Sequence, residues 1–341
     1  MQITTIGLDL AKNVFQVHGV SAVGDVVVRR RLRRAQVREF FAVLAPCLIG
    51  MEACGTAHFW ARELVALGHE VKIMPPSYVK AYVRRGKNDA ADAEAICEAV
   101  RRPNMRFVPI KTEDQQAALM LHKSRELVVR QQNMLVNALR GHTAELGIIA
   151  PQGRRKIEDI IAVIEDAEDE SIPALAKLAL RPLVEQLRAS EEAVAALDAE
   201  IKAWHKGNEA SQRLATIPGI GFLTASAIAA MVPDPSFFRS GREFAAWLGL
   251  VPRQNSSGGK ERLGRISKRG NRYIRKLLVL GATSMLRHAR AKSAPGTQWV
   301  NGLLERRPPR LVTVAMANKT ARIAWALLAR QEVYRAPSPA A

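Results

Sequence analysis

Cysteine is scarce in this sequence, which has only Cys47, Cys54 and Cys97 among 341 residues. Their number is odd and their spacing lacks the paired pattern of a zinc site, so neither a disulfide framework nor a cysteine zinc site is predicted. Long apolar runs are also missing, and none approaches the roughly 20 residues that a membrane-spanning helix needs. No basic region followed by such a run opens the chain. We therefore expect a cytoplasmic protein without a membrane partner.

Acidic residues are outnumbered, with 32 Asp and Glu against 51 Lys and Arg and a formal net charge of +19. The imbalance is concentrated in residues 253–335, which hold 19 basic and three acidic residues, a net charge of +16. Such a concentration is typical of nucleic-acid binding, because neutralised phosphates release their condensed counterions. A solvated basic face is the alternative, and it is less favoured at this density.

Hydropathy and turn residues divide the chain into three domains and a tail. Residues 1–110 alternate strands with helices, which predicts an α/β domain with a mixed sheet. Residues 111–210 predict a helical linker or coiled-coil arm suited to dimerisation, with Leu187, Val194 and Ile201 at heptad spacing. Residues 211–335 predict a compact, mainly α domain with a glycine-rich basic loop over 252–270, and residues 336–341 predict a disordered tail.

Four carboxylates of the first domain occupy positions from which one metal site could collect them. Asp9 ends the first predicted strand, and Glu52 ends a strand expected to return beside it. Asp89 and Asp92 share one face of a predicted helix because they are three residues apart. Oxygen ligands alone suit Mg²⁺ or Mn²⁺, and four like charges in one place need cations between them. The set therefore predicts a two-metal phosphoryl-transfer site.

Each carboxylate also has an ordinary explanation. Asp89 can cap a helix, Asp92 can interact with the helix dipole, and Glu52 and Asp9 can be exposed strand ends. Asp9, however, lies in the apolar run IGLDLA, where a solvated carboxylate is unexpected. Actin-like phosphotransferases share the Gly-Leu-Asp start, but no glycine-rich phosphate loop accompanies it here. The nuclease-type metal site is the favoured interpretation.

Two segments of the C-terminal domain indicate contact with phosphates. The run Ile217-Pro218-Gly219-Ile220-Gly221 precedes an alanine-rich helix and has the form of a helix-hairpin-helix turn. Gly219 and Gly221 would let backbone amides approach a DNA phosphate, a contact that carries no sequence information. The alternative is an ordinary helix connection that needs glycine for a positive φ.

The basic loop holds a serine pair, Ser256 and Ser257, among side chains that could clamp phosphates, bidentately where arginine is used. These basic residues are Arg253, Lys260, Arg262, Arg265, Lys268, Arg269 and Arg272. A serine held there could attack a phosphorus, since surrounding cations favour its alkoxide. The chemistry of the residues alone favours the alternative, that both serines are flexible turn residues.

Five sequence blocks span nearly the whole chain in a fixed order: GLDLAKNVFQVHGV, GMEACGTAHFWARELVALGHEV, KNDAADAEAI, TIPGIGFLTASAIAA and WLGLVPRQNSSGGKERLGRISKRGNRYIRKLLVLGA. Together they resemble insertion-sequence transposases with an N-terminal Asp-Glu-Asp-Asp site, the bridge-RNA-guided recombinases. This resemblance implies a ribonuclease H-like (RuvC-like) first domain with Asp9, Glu52, Asp89 and Asp92 as metal ligands.

The resemblance further implies a serine nucleophile, which we place at Ser257 because it directly precedes Gly258 as in the family, with Ser256 as the fallback. Family members act as homo-oligomers, dimers or tetramers, on element and target DNA paired with a structured guide RNA. Their composite site joins the acidic domain of one subunit to the serine domain of another. A covalent phosphoserine–DNA intermediate then preserves the phosphodiester energy. Such a protein is expected on the nucleoid when it is bound to DNA.

Two other functions remain open at this stage. The first is a Holliday-junction-type endonuclease that hydrolyses DNA with water at the metal ions and forms no protein adduct. The second is a non-catalytic nucleic-acid-binding scaffold, which the +16 charge of residues 253–335 alone would explain.

Overall fold

The computed structural model describes residues 2–83, 89–149, 151, 153, 156–291 and 298–336. The chain forms two compact units, residues 1–115 with 232–237 and residues 116–231 with 238–341. The domain boundaries at 110 and 210 stay predictions, and the tail expected over 336–341 lies outside the described residues from position 337 onward. Within the described ranges, no helix combines the length and apolarity needed to cross a membrane.

A five-stranded mixed sheet is the centre of the first unit, with strand order β3-β2-β1-β4-β5. Its strands are β1 (Thr5–Asp9), β2 (Val14–Val20), β3 (Val26–Arg33), β4 (Leu48–Glu52) and β5 (Glu70–Met74). Strand β2 is antiparallel to β1 and β3, whereas β1, β4 and β5 run parallel. The mixed sheet predicted for this part of the chain is confirmed.

Helices cover both faces of this sheet. They are α1 (Val37–Ala42), α2 (Ala57–Ala66), α3 (Pro76–Val79) and α4 (Asp89–Val100), with 3-10 turns at Arg34–Gln36 and Lys80–Tyr82. On the face of α2, the core buries Leu8, Met51 and Trp60. On the other face, Ile96 and Val100 of α4 pack with Met74. Side chains alternate between the two faces along a strand, and buried apolar side chains lie on both faces of this sheet. Each face is therefore covered by helices.

Helix α4 lies unusually close to the sheet because two strands carry glycine beneath it. A Cβ at Gly7 would lie 2.1 Å from the Ala93 oxygen and 2.4 Å from the Cys97 nitrogen. On the neighbouring strand, a Cβ at Gly50 would lie 2.8 Å from the Cβ of Val100. Backbone atoms at such distances cannot move aside as a flexible side chain can, so glycine at position 7 fixes the position of the helix.

The second unit is mainly helical. Its elements are α5 (Glu113–Ala144, of which residues 116–144 belong to this unit), α6 (Ile157–Glu165), α7 (Ala174–Gly207), α8 (Glu209–Ala215), α9 (Phe222–Met231), α10 (Gly241–Trp247), α11 (Arg272–Ala291), α12 (Gln298–Leu304), α13 (Pro309–Arg330), and strands β6 (Pro252–Gln254) and β7 (Leu263–Ile266). A 3-10 turn at Pro235–Phe237 lies in the segment 232–237 assigned to the first unit.

The helical pattern predicted from residue 157 to 204 is interrupted at 166–173. There, a carboxylate oxygen of Asp166 accepts a hydrogen bond from the Glu168 backbone, and one of Asp169 accepts from the Ser171 backbone. Aspartate side chains that bind the backbone two residues later form turns and compete with helix. The acidic segment therefore separates α6 from α7.

Two of the three heptad residues of the predicted arm are buried inside the chain. Leu187 is buried in a core with Leu139 and Ile164, and Ile201 is also buried, whereas Val194 is half-buried. Leu187 and Ile201 pack among helices of the same chain. A dimer contact through this arm would therefore have to use other residues.

A buried polar network joins α5, α9 and α11 within the second unit. The Ser226 hydroxyl donates to the Phe222 carbonyl at 2.6 Å, so it accepts from Nε2–H of His122 at 3.1 Å. The other ring nitrogen, Nδ1, then accepts from the Tyr273 hydroxyl at 3.0 Å. Burial, aided by the charge of Arg125, lowers the pKa of His122 to about 4. The ring is therefore neutral at pH 7.

Replacing Gly7 with alanine should displace α4 from the sheet. We expect Gly7→Ala to lower the free energy of unfolding by about 1 to 3 kcal/mol, the usual cost of overpacking a core. Urea denaturation measures the change. Gly55→Ala is the matched control, since nothing lies within 4 Å of a Cβ there. Equal effects of the two substitutions would contradict the close approach of α4.

His122 should make the protein acid-sensitive. Its unfolded form takes up a proton below pH 6.5, whereas the folded form stays neutral down to about pH 4, so acid stabilises the unfolded state. Between pH 7 and 4, His122 should account for a loss of up to about 3 kcal/mol in the free energy of unfolding. His122→Gln should be less stable at pH 7 but should show a shallower pH dependence in urea titrations. Exposed His142 gives the control His142→Gln, which should keep the original slope.

Candidate active site and nucleic-acid interface

Asp9 and Glu52 lie side by side at one edge of the sheet. Strands β1 and β4 are parallel neighbours with Leu8 opposite Met51, so the next residues, Asp9 and Glu52, also adjoin. Neighbouring strands are about 4.8 Å apart. Asp9 comes two residues after Gly7, and Glu52 comes two residues after Gly50. Both glycines face α4, and positions two residues apart on a strand point to the same face of a sheet. Both half-buried carboxylates therefore point to the α4 side of the sheet.

The N-terminal turn of α4 lies at this same edge. Ala93 is near Gly7, while the Cys97 thiol reaches the carbonyl of Thr5 at 3.9 Å, so α4 runs antiparallel to β1 and begins above its end. Asp92 is half-buried in this turn. Burial raises the pKa of Glu52, and the nearby negative charge of Asp92 raises it further. Asp89 is the first residue of the helix, and its side chain lies outside the described part of the structure.

These donors fit a hard divalent cation by their chemistry. The side chains that approach one another are carboxylates, which Mg²⁺ and Mn²⁺ prefer, and the raised pKa of Glu52 reports a place where negative charge is unfavourable. Within the described residues, no three His, Cys, Asp or Glu side chains form a group that could hold an ion. The Asp89 side chain is not among these described residues. The tetrad of metal ligands stays a prediction.

The predicted basic loop over 252–270 is a β-hairpin in its first part, made of β6 and β7. Its tip is a tight turn in which Lys260 N donates to the Ser257 carbonyl at 3.1 Å. The two central residues, Gly258 and Gly259, have φ values of +57° and +76°. A two-residue turn of this hand requires positive φ at both positions, so a Gly-Gly pair produces a hairpin within the segment predicted as a glycine-rich basic loop.

The two candidate serines differ in their surroundings on this hairpin. The hydroxyl of Ser256 accepts a hydrogen bond from the Arg262 backbone at 3.2 Å and so helps to close the hairpin. Ser257 is exposed at the start of the turn, and its hydroxyl makes no hydrogen bond to any described residue. The Ser257 hydroxyl is therefore the one that is available to an incoming group.

The predicted phosphate-binding residues surround the hairpin and its base with exposed positive charge. All seven are exposed, and none of them pairs with a carboxylate of the described chain: Arg253, Lys260, Arg262, Arg265, Lys268, Arg269 and Arg272. Arg275 donates to the Leu248 carbonyl at 2.7 Å and to the Arg269 carbonyl at 3.3 Å, and so joins the segments that precede and follow the hairpin.

The two glycines of the helix-hairpin-helix segment have different environments. Gly219 has a φ of +82°, and a Cβ there would lie 2.5 Å from the sulfur of Met285. Its carbonyl also lies where a Cβ of Gly281 would be, so close packing against α11 accounts for glycine at this position. Gly221 is exposed at the start of α9, with nothing within 4 Å of a Cβ. Of the two, Gly221 alone faces open space among the described atoms.

Basic and aromatic side chains of α12 and α13, which no sequence motif predicted, lie beside the hairpin. They include Trp299, Arg310, Lys319 and Arg322, which line one groove with the hairpin base. Their only signal in the sequence is the positive charge of residues 253–335. No motif joins them, because they come together only when α13 packs against α10 and α11.

Comparisons with known proteins cover nearly the whole chain. A model described as the transposase IS116/IS110/IS902 family matches residues 211–295, and a model of the DEDD transposase type of IS110 matches residues 6–147. A Pseudomonas aeruginosa protein named "Probable family 20 transposase" is 50% identical, over 98% of this chain and 99% of its own. The transposase for insertion sequence element IS1328 of Yersinia enterocolitica is 42% identical, over 97% and 98%.

A third relative is the transposase for insertion sequence element IS1111A of Coxiella burnetii, 41% identical over 98% of this chain and 92% of its own. The DEDD model covers the unit whose mixed sheet brings Asp9 beside Glu52, and this type of domain implies a RuvC-like fold and a requirement for divalent metal. Transposases cut and join DNA. The chain therefore belongs to the IS110/IS116/IS902 family of transposases, with an N-terminal DEDD domain.

Proposed function

We propose that this transposase cuts and rejoins DNA strands with a serine nucleophile, Ser257, and a divalent-metal site formed by Asp9, Glu52, Asp89 and Asp92. One observation carries the proposal: carboxylates distant in sequence meet at one sheet edge on the side of α4, as a metal site requires. The exposed hydroxyl of Ser257 among unpaired cations supports the second half.

The carboxylates would bind two Mg²⁺ ions, or Mn²⁺, which supply positive charge to stabilise the oxygens that enter and leave the phosphorus. Asp9 and Glu52 lie on adjacent strands, and Asp92 lies in the first turn of α4. Because these three positions belong to regular elements, the chain would lose little backbone entropy when it binds an ion.

The serine step conserves the phosphodiester bond energy. The Ser257 hydroxyl loses its proton and its oxygen bonds to the phosphorus, while the bond from phosphorus to one bridging oxygen breaks and that oxygen leaves as a DNA hydroxyl. Attack by a hydroxyl of a second strand reverses the step and releases the serine. Exposed cations such as Arg262 and Lys260 would stabilise the negative charge on the transferring phosphate.

The finer parts of the function follow the family resemblance. We infer a homo-oligomer, dimer or tetramer, in which the acidic site of one subunit acts with the serine of another. A structured RNA encoded by the element would select the element ends and the target DNA by base pairing. Gly221 at the exposed start of α9 would contact a phosphate through its backbone, in the manner of a helix-hairpin-helix, with Gly219 shaping the turn. The protein would act in the cytoplasm, on the nucleoid.

Ser257→Ala should abolish the covalent protein–DNA adduct. Radiolabelled element and target DNA, incubated with the RNA and Mg²⁺, should give a product of reduced mobility on a denaturing gel with the unchanged protein but not with Ser257→Ala. Ser256→Ala is the matched control and should retain the adduct, since that hydroxyl serves the hairpin. Strand exchange that persists in the double variant would reject the serine role. Cleavage without any adduct would favour a junction-resolving nuclease that uses water.

Glu52→Gln should separate metal binding from folding. Because the substitution removes a negative charge near Asp92, the metal-free variant should be at least as stable as the unchanged protein. The unchanged protein should gain about 2.7 kcal/mol of stability at an Mg²⁺ concentration of 100 times Kd, and the variant should gain much less. Thermal denaturation with and without Mg²⁺ measures both. Exposed Asp25 gives the control Asp25→Asn, and a full Mg²⁺ response in Glu52→Gln would exclude Glu52 as a ligand.

A further inference from the structure

A wide groove lies beside the base of the hairpin in the second unit. It has a volume of about 1510 Å³ and is bounded by the hairpin base, the start of α10, α12 and one face of α13. Pockets for small molecules are typically about 300 to 1,000 Å³ and enclose most of their ligand. This groove is larger, which favours a segment of a polymer over a metabolite.

The rim of the groove is strongly positive. Five exposed cations line it: Arg242, Arg265, Arg310, Lys319 and Arg322. Within the described part of the chain, none of the five pairs with a carboxylate. Like charges repel unless a counterion lies between them, so this arrangement is complementary to a polyanion.

An aromatic side chain lies among these cations. Trp299 of α12 is 41% exposed, and the ammonium of Lys319 lies 4.3 Å from its ring centre. Apolar side chains of α13, among them Leu311 and Val314, continue the surface between the cations. A large, exposed aromatic ring beside unpaired cations offers one surface for stacking and one for phosphate.

This combination distinguishes the possible occupants. Proteins bind unpaired strands by a positively charged groove that follows the backbone and by aromatic rings on which bases stack. In a duplex, the bases stack on one another and their faces are not available to Trp299. An acidic protein segment would satisfy the cations but would gain little from the ring face. An unpaired nucleic-acid strand uses both features.

We propose that the groove binds the unpaired DNA strand that continues from the phosphodiester attacked by Ser257. This assignment rests on the proposed function, because the hairpin that carries Ser257 also forms one wall of the groove, at Pro252 and Arg265. Ser257 lies five residues beyond Pro252, or about 16 Å along an extended strand. The groove would therefore hold bases a few nucleotides from the cut.

Such a site has a defined role in strand exchange. When the phosphodiester is cut, only the end bonded to serine is held covalently. A groove that grips bases several nucleotides away keeps that strand in a fixed path, so that its phosphate remains oriented for the second hydroxyl. Binding along the strand thereby restricts orientation before the joining step.

Fluorescence anisotropy with labelled 15-nucleotide single-stranded DNA tests the proposal, with RNA of the same sequence and duplex DNA as competitors. Trp299→Ala should weaken binding of the DNA strand about tenfold, whereas Trp299→Phe should retain most of it, because stacking needs a ring. Arg310→Gln with Arg322→Gln should lower the slope of log K against log salt by about 1.4, for two lost phosphate contacts. Lys202→Gln, an exposed change on α7, should leave both unchanged.

Several outcomes would overturn the assignment. Tighter binding of RNA than of DNA at Trp299 would assign the groove to RNA, and preference for duplex would remove the stacking role. If Lys202→Gln loses as much affinity as the double variant Arg310→Gln with Arg322→Gln, the DNA is bound by the net positive charge of the protein and not by the groove. Anisotropy measures binding and requires no DNA cleavage, so a negative result for the groove would leave the Ser257 adduct unaffected. Conversely, loss of the serine role would leave the affinity for single strands unchanged.

Discussion

The close contact between α4 and the sheet is the constraint on which the acidic site depends. Gly7 and Gly50 occupy adjacent strands and lack the Cβ atoms that would collide with the helix. Because the helix can approach, its first turn reaches the edge where Asp9 and Glu52 end their strands. A larger residue at either glycine would move the helical carboxylates away from the strand carboxylates. Packing in the interior therefore determines the geometry at the edge.

The two regions proposed to react with DNA differ in burial and in charge. Asp9, Glu52 and Asp92 are half-buried on regular elements, and burial, followed by the nearby charge of Asp92, raises the pKa of Glu52. The serine is exposed on a short hairpin, held by backbone bonds and by the Gly258-Gly259 turn. Its neighbours are cations without carboxylate partners in the described chain. The carboxylate region is negative and would be complementary to a metal ion. The hairpin region is positive and would be complementary to a DNA phosphate.

The sequence predicted the first unit better than the second, for a physical reason. Alternation of apolar residues reports strands buried in a sheet, and adjacency of parallel strands is enough to place Asp9 beside Glu52. The three residues of β6 are exposed and show no such alternation, so the sequence predicts a glycine-rich basic loop where the Gly-Gly pair forms the turn of a hairpin. The groove was missed because Arg242, Arg265 and Arg310 come from separate elements. Only tertiary packing brings them to one surface.

The environment of Ser257 also limits when it can react. A serine hydroxyl is a weak nucleophile until a base or a cation lowers the cost of its alkoxide. Among the described residues, no side chain accepts a hydrogen bond from the Ser257 hydroxyl, so this part of the chain offers no base to it. The surrounding cations lower that cost only in part, because water screens exposed charges. In the proposed reaction, activation of Ser257 would then depend on the DNA phosphate and the groups that arrive with it, and the serine would stay inert until the complex has assembled.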